Sequence, residues 1–161
     1  MLRYNIKLDR VLFQNFACPS KLDCSSEAIV REVTVIGSKP HGLLIIPQNE
    51  TGPYEFPDGA DVDFFLDISK YRGHVEVCGF PRSKVIIDPE RHVAVSGELF
   101  DTIDWQGLGF DAVCWFRMIS RLVKIRSAVE GVFSFPKPKD SKHEAAVRDR
   151  QRLEELGYKF Y

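Results

Sequence analysis

Short segments of alternating apolar and polar residues occupy the first part of the chain. Tyr4, Ile6 and Leu8 alternate with polar neighbours, and a period of two residues is typical of a strand with one buried face. The continuous apolar run at 43–46 is expected for a strand that is covered on both faces. These patterns predict four strands, at 4–8, 11–16, 28–36 and 43–46.

The clearest strand signals lie in the middle of the chain. Four apolar segments there are separated by connections of a few residues that contain glycine or proline. Short connections between successive strands favour antiparallel pairing, because a parallel pair needs a long crossover. We therefore expect an antiparallel meander of four strands, at 62–68, 74–78, 84–88 and 92–96.

After Gly97 the pattern changes to the three- and four-residue spacing of a helix. Trp115, Ile119 and Leu122 fall on one stripe of the segment 107–130, and a wide apolar stripe is typical of a helix packed against a sheet. This pattern predicts one long helix that ends at Gly131.

A second helix is predicted near the end of the sequence. Ser141 and Glu144 have the spacing of a capping box, in which a hydroxyl and a carboxylate bond the first free amides. The helix is expected to run to Leu156 and to end at Gly157. Residues 158–161 alternate in the way that an edge strand does.

Strands followed by helices predict the α+β class. We expect one domain over residues 1–161, an antiparallel meander packed by the long helix with the short polar helix near its C-terminal end. A chain of 161 residues is long enough to bury a core. Its 44% hydrophobic and 28% charged residues are ordinary for a folded protein. No internal repeat is evident in the pattern.

The charge balance and the hydropathy of the sequence limit which compartment and which partners are expected. The chain has 22 basic and 23 acidic residues, whereas a nucleic-acid-binding domain usually carries a basic excess. The first residues lack the apolar stretch of a secretory signal, and no run approaches the ~20 apolar residues that span a bilayer. We therefore predict a cytoplasmic protein with no membrane partner, for which the net charge of -1 does not indicate a nucleic-acid partner.

No motif for catalysis or for cofactor binding is found in the sequence. Gly107 and Gly109 lack the third glycine and the preceding strand of a dinucleotide loop, and there is no phosphate-binding P-loop. No Ser-His-Asp or Cys-His signature is present either. We predict no cofactor. Whether the protein is an enzyme stays open, since catalytic groups converge from distant positions in many folds.

The segment 54–63 is the first candidate for a binding surface. It combines aromatic anchors, which protein interfaces favour, with acidic side chains that speed the encounter with a basic protein. The predicted partner-binding residues are Tyr54, Phe56, Asp58, Asp61 and Asp63.

A carboxylate cluster is the second candidate. In the expected hairpin, Asp63, Asp67, His74 and Glu76 share the face opposite the core, because alternate residues of a strand face opposite ways. Carboxylate oxygens are ligands of divalent cations. The pattern resembles the sheet core of restriction-type nucleases, where an Asp and a Glu-x-Lys on neighbouring strands hold magnesium, although Cys78 stands at the lysine position here. The other interpretation is an ordinary solvated sheet face.

A basic stripe on the long helix is the third candidate. Arg117, Arg121 and Lys124 are spaced so that they share one face. Such a stripe either contacts phosphates or forms the solvated side of a buried helix.

The leading functional prediction is a protein-binding module without catalytic activity, such as an inhibitor of the immunity type, an adaptor or an accessory subunit. It would dock a protein partner, in particular a basic one, through the segment 54–63. One alternative is a metal-dependent nuclease or phosphoester hydrolase that uses Asp63, Asp67 and Glu76. The other is a nucleic-acid-binding regulator that uses the basic stripe.

Overall fold

A computed structural model describes residues 7–18, 21–25, 29–46, 62–107, 113–125 and 128–160. The strands in these ranges are β1 (Lys7–Asp9), β2 (Leu12–Gln14), β3 (Lys21–Ser25), β4 (Ile29–Arg31), β5 (Val33–Ile36), β6 (Gly42–Ile46), β7 (Leu66–Asp67), β8 (His74–Cys78), β9 (Val85–Ile86), β10 (His92–Ser96) and β11 (Glu130–Ser134). The helices are α1 (Leu99–Thr102), α2 (Val113–Ser120) and α3 (His143–Glu155). A short 3-10 turn covers Arg82–Lys84, and a π-helical turn at Arg121–Ile125 continues α2.

Strands β1 to β9 wind as a solenoid, in which each turn of the chain stacks on the previous turn with parallel pairing. β1 pairs with β4, β2 with β5 and β3 with β6. The register pairs Leu12 with Thr34 and Lys21 with Gly42, so the second turn repeats the path of the first after 21 or 22 residues. β7 and β9 extend the sheet of β2 and β5, while β8 extends the sheet of β3 and β6. Each turn therefore contacts mainly its neighbouring turns, as in other repeat architectures.

This topology shows that the predicted antiparallel meander is wrong. The two segments expected to form a hairpin lie in different sheets, since β7 belongs to the four-stranded parallel sheet and β8 to the five-stranded sheet. The short connection between β7 and β8 leads the chain from one sheet of the solenoid into the other, so it does not place the two strands side by side. The rest of the turn supplies the long crossover that a parallel pair requires.

The corners of the first two turns repeat along with the strands. Arg10 and Glu32 have φ angles of 54° and 50°, and Asn15 and Gly37 have φ angles of 47° and 95°. A left-handed residue bends the chain sharply, at a steric cost for any residue with a Cβ atom. At Gly37 a Cβ atom would lie 2.1 Å from Asn15 Oδ1, and that oxygen accepts a hydrogen bond from Ser38 N–H at 3.2 Å. Glycine is therefore required where the second turn stacks on the Asn15 side chain.

Apolar side chains stack in columns inside the solenoid. In the five-stranded sheet, two sets of apolar residues that are paired in register on β3, β6 and β8 are buried. The two columns are Leu22, Leu43 and Val75, and Cys24, Ile45 and Val77. Because each column removes apolar surface from water at every turn, stacking turns on one another stabilises the solenoid.

The five-stranded sheet is the wall that the solenoid shares with the rest of the molecule. Its strand order is β10–β11–β8–β6–β3, and β11 is antiparallel to both of its neighbours. On β6, Leu43 faces the solenoid interior, whereas Leu44 is buried on the opposite side against the helices. The prediction that this strand is covered on both faces is confirmed.

The helices form a cover over the outer side of this sheet. Trp115, Ile119 and Leu122 are fully buried, which confirms the predicted stripe. The prediction of one helix to residue 130 is wrong, because the helical turns end at Ile125 and a strand begins at Glu130.

Gly131 lies inside β11 and does not end a helix. A Cβ atom at this position would sit 2.8 Å from Leu122 Cδ1 and 3.1 Å from the Val77 carbonyl oxygen. Close approach of β11 to both its neighbouring strand and the cover therefore explains this glycine.

α3 completes the cover. It is followed as predicted by Gly157, which has a φ of 92°. The predicted capping box is wrong, because no side chain caps the helix and Asp140 Oδ1 accepts a hydrogen bond from Lys142 N–H at 3.0 Å. The predicted edge strand is not formed over 158–160, where the ring of Phe160 packs 4.5 Å from that of Trp115. In the described part of the chain, no helix is both long enough and apolar enough to cross a bilayer.

Candidate functional site

The predicted docking surface lies mostly outside the described residues. Tyr54, Phe56, Asp58 and Asp61 fall in the range 47–61, which the structure does not describe. Asp63 is exposed at a bend before β7. The docking of a basic partner by this segment stays a prediction.

The predicted carboxylate cluster is not assembled. Asp67 and Glu76 lie in different sheets, and Asp63 and His74 are exposed outside any shared hairpin. Asp67 Oδ1 accepts hydrogen bonds from the backbone and the hydroxyl of Ser69, at 2.9 and 2.7 Å, so it shapes the turn after β7. Within the described ranges, no group of three or more His, Cys, Asp or Glu side chains is placed to hold a metal ion. The likeness to a nuclease core depended on a hairpin that does not form.

Glu76 faces the helical cover and is buried. Its Oε1 accepts a hydrogen bond from Arg121 Nε at 2.8 Å, which supplies the partner that a buried charge requires. The pair removes Arg121 from the predicted basic stripe. Of the other two members, Arg117 is exposed and Lys124 Nζ lies 4.9 Å over the ring of Phe100. The stripe is therefore partly engaged in holding the cover to the sheet.

Two of the four cysteines are held as protonated thiols. Burial raises the pKa of Cys24 and of Cys114 to about 11. Because the thiolate is the nucleophile, neither thiol is activated at neutral pH. Cys24 is fully buried in the solenoid core, where it packs as a small apolar side chain.

A cleft of about 640 Å³ lies where the solenoid meets the cover. β11 is antiparallel to β8 and β10, so its end lies beside the beginnings of both. Two hydrogen bonds hold this junction together: Val75 N–H donates to Ser134 Oγ at 2.7 Å, and Phe135 N–H donates to the Arg91 carbonyl at 2.7 Å. α3 borders the cleft through His143 and Arg150. The volume falls within the ~300–1,000 Å³ range of small-molecule sites.

Basic side chains dominate the walls of the cleft. Among the described residues that line it, five are arginine or lysine and one, Glu90, is acidic. Two of the five are neutralised by neighbours: Arg91 Nε lies 3.2 Å from a carboxylate oxygen of Asp88, and Arg150 Nε lies 2.8 Å from Glu154 Oε1.

The other three cations are available to a ligand. Arg72, Lys137 and Lys139 form no ion pair with any residue that the structure describes. Arg72 and both lysines are exposed at the cleft. In a concave site the fields of like charges add, because the low-dielectric walls focus them. The cleft is therefore a region of positive potential on a chain whose net charge is -1.

Two histidines also line the cleft. His92 is 2% exposed, and burial lowers its pKa to about 4. Asp88 N–H donates to His92 Nδ1 at 3.3 Å, in agreement with a neutral ring. His143 Nδ1 lies 2.7 Å from the Pro136 carbonyl. Since a carbonyl oxygen only accepts, Nδ1 of His143 is the donor in this hydrogen bond.

Apolar groups form the remainder of the lining. The ring of Phe135 is half-buried, and it packs against Trp115 at 5.8 Å and edge-on against His143 at 5.7 Å. Tyr71 is buried with its hydroxyl donating to the Pro40 carbonyl. A Cβ atom at Gly73 would lie 2.1 Å from the Tyr71 hydroxyl oxygen, so this glycine keeps the ring in place.

The sequence pattern did not single out this cleft. Its lining comes from 71–73, 89–92, 134–139 and α3, and no local motif joins such distant segments. The nearest local signal was Lys137 and Lys139 on either side of a proline. Compared with known proteins, the chain matches no family model, no curated protein and no solved structure.

Proposed function

We propose that this protein is a binding module without catalytic activity of its own, and that the cleft takes up an anionic ligand. The observation that carries the proposal is the set of cations Arg72, Lys137 and Lys139, which have no ion-pair partner among the described residues. Uncompensated like charges in one concave site repel each other, and an anion relieves that repulsion. Binding a negatively charged partner therefore stabilises an arrangement that is otherwise costly.

The chemistry of the lining favours binding over catalysis. His92 is neutral, and its burial leaves it a weak base. The carboxylates that a metal-assisted hydrolase needs are dispersed over two sheets. The cations, in contrast, are exposed and suited to binding an anion through charge-assisted hydrogen bonds. We propose the cytoplasm as the compartment, on the sequence features given above.

Charge reversal tests the proposal. Tripolyphosphate is the probe, and calorimetry at low salt measures its affinity. The double variant Lys137→Glu/Lys139→Glu should weaken binding on the order of 100-fold, because it replaces attraction with repulsion at two positions. Raising the salt concentration should weaken binding to the unchanged protein, since exposed charges are screened.

Arg117→Glu is the matched control. It makes the same type of charge change at an exposed residue of α2 that is not part of the cleft lining. Binding to this variant should stay within about threefold of the unchanged protein, as expected for a distant exposed charge. Equal losses in the control and in the double variant would mean that general charge, and not the cleft, attracts the anion.

A further inference from the structure

The cations of the cleft indicate how much charge its ligand carries. Arg72 comes from the segment before β8, whereas Lys137 and Lys139 follow β11, and all three line the same cavity of about 640 Å³. A single carboxylate satisfies one such cation. Three uncompensated cations in one small site match a group with several negative charges and many acceptor oxygens, and phosphate chains have both properties. The side chain of Arg72 adds the planar fork that binds two phosphate oxygens at once.

The apolar part of the lining requires a second component in the ligand. Phe135 exposes part of its ring to the cleft, and Pro89 and Pro138 are exposed at its walls. An inorganic anion would leave this surface uncovered. A planar heterocyclic ring covers it well, because aromatic rings stack on flat apolar side chains whatever their substituents.

Polar groups of the same lining suit a sugar. Ser134 Oγ accepts a hydrogen bond from Val75 N–H, so its own hydrogen remains able to donate. Glu90 is an acceptor in a lining whose other polar side chains are mostly donors. A carboxylate repels phosphate but accepts hydrogen bonds from hydroxyl groups.

From these features we propose that the cleft binds a nucleoside di- or triphosphate, with the phosphate chain at Arg72, Lys137 and Lys139 and the base against Phe135. The inference rests on the proposed function, since it names the class of anion that the module binds. The size of the site fits one nucleotide. Single-stranded nucleic acids bind in open grooves that follow about 4–16 nucleotides, and an acidic peptide spreads its charges along an extended backbone.

A ligand series tests the proposal without changing the protein. Calorimetry at fixed low salt compares adenosine diphosphate, pyrophosphate, adenosine, a pentaglutamate peptide and a ten-nucleotide oligoadenylate. Adenosine diphosphate should bind on the order of tenfold or more tighter than pyrophosphate, because base stacking adds to the same phosphate contacts. Adenosine should bind far more weakly than either, since it lacks the charges.

The variant Phe135→Leu adds a matched test on the protein side. It removes the ring and should bring the affinity for adenosine diphosphate down to that for pyrophosphate, with pyrophosphate binding itself unchanged. Phe135 also contacts Trp115, so circular dichroism must first show that the variant is folded. The ligand series decides the question if the variant does not fold.

Each contrary outcome has a separate meaning. If pyrophosphate and adenosine diphosphate bind equally well, the base plays no part and the nucleotide proposal is wrong, although the anion-binding function stands. Tighter binding of the peptide or the oligonucleotide overturns the nucleotide proposal in the same way. If no anion binds, tripolyphosphate included, both the inference and the proposed function fail.

Discussion

The solenoid and its helical cover share one sheet, but they are stabilised in different ways. In the solenoid, the same kind of residue recurs at the same place on successive turns, as Leu22, Leu43 and Val75 do. In the cover, the core is built from unlike pieces, such as the rings of Trp115 and Phe160 from α2 and the end of the chain. The solenoid core is therefore built by repeating similar side chains from turn to turn, whereas the core of the cover depends on single large side chains.

The comparison also explains where the candidate site lies. Inside the solenoid, buried columns leave little space for polar chemistry, and the cover is packed against the opposite side of the sheet. The cleft lies where the two regions meet. The connecting segments there are not part of the regular strand pairing, and they place charged residues at one edge of the sheet. The site therefore belongs to the junction and to neither region alone.

The largest expected effect comes from removing one core side chain on each face of the shared sheet. Leu43→Ala in the solenoid and Ile119→Ala in the cover should each lower the free energy of unfolding by about 2–5 kcal/mol, since both side chains are buried. Both tryptophans, Trp105 and Trp115, lie in the cover, so tryptophan fluorescence reports on the cover and far-ultraviolet circular dichroism on the whole fold. Because the regions share a sheet, both signals should shift together during denaturation. Separate transitions would mean that the two regions unfold independently.

The next largest effect is the pH dependence that His92 confers at the junction. Its pKa is about 4 in the folded protein, against an ordinary 6.5, so the unfolded chain binds the proton first as the pH falls. The stability that the neutral ring contributes is complete above pH 6.5 and is lost as the pH falls toward 4. The loss should reach up to about 3 kcal/mol near pH 4.

His92→Gln is the variant that measures this contribution. The difference in unfolding free energy between it and the unchanged protein, recorded from pH 7 to 4.5, isolates the histidine from other titrating groups. As the pH falls, the unfolding free energy of the unchanged protein should decrease more than that of the variant. A difference that is constant with pH would show that His92 is not held neutral in the fold.

A smaller effect is expected from the ion pair that links the two regions. Arg121→Met leaves the buried carboxylate of Glu76 without its Arg121 partner. We expect a loss of about 1–3 kcal/mol, at the lower end of buried pairs because the arginine side chain is 47% exposed. The double variant Glu76→Gln/Arg121→Met should recover part of the loss in urea denaturation. Additive losses would show that the pair contributes no coupling between sheet and cover.

The smallest effect is confined to a corner of the solenoid. Gly37→Ala should lower stability by about 1–2 kcal/mol, because Gly37 has a φ of 95° and a new Cβ atom would meet Asn15 Oδ1. Asn15→Ala removes the clash but also the hydrogen bond from Ser38 N–H, so the effect of Gly37→Ala is measured both in the unchanged protein and in the Asn15→Ala variant. Thermal denaturation of the two single variants and the double variant gives both effects. If Gly37→Ala is equally destabilising with and without the Asn15 side chain, the Asn15 contact is not the cause.

Local patterns predicted the elements better than their arrangement. The buried stripe of α2 and the end of α3 at Gly157 follow from helical spacing and from the conformational freedom of glycine, both of which are properties of neighbouring residues. The pairing of strands is not such a property. Alternation of apolar and polar residues is the same in parallel and antiparallel strands, so connection length decided the prediction, and it favoured the wrong topology.

A signal for the correct topology was nevertheless present in the first two turns. The inward residues Leu8 and Phe13 are paired with Val30 and Val35, one turn later. Their spacing of 22 residues joins positions that are similar in hydrophobicity but not in identity. A search for repeated apolar positions, as opposed to repeated residues, would have indicated stacked turns.

By itself, then, the sequence determined strands such as β6, β8 and β10, the helix α3 and the stripe of α2 that is buried, because those depend on interactions within a few residues. Tertiary structure alone decided the parallel stacking, the pairing of Glu76 with Arg121, and the convergence of Arg72 with Lys137 and Lys139 on one cleft. These contacts join residues far apart in the chain. Their formation depends on how whole sheets and helices pack, and no local pattern encodes that packing.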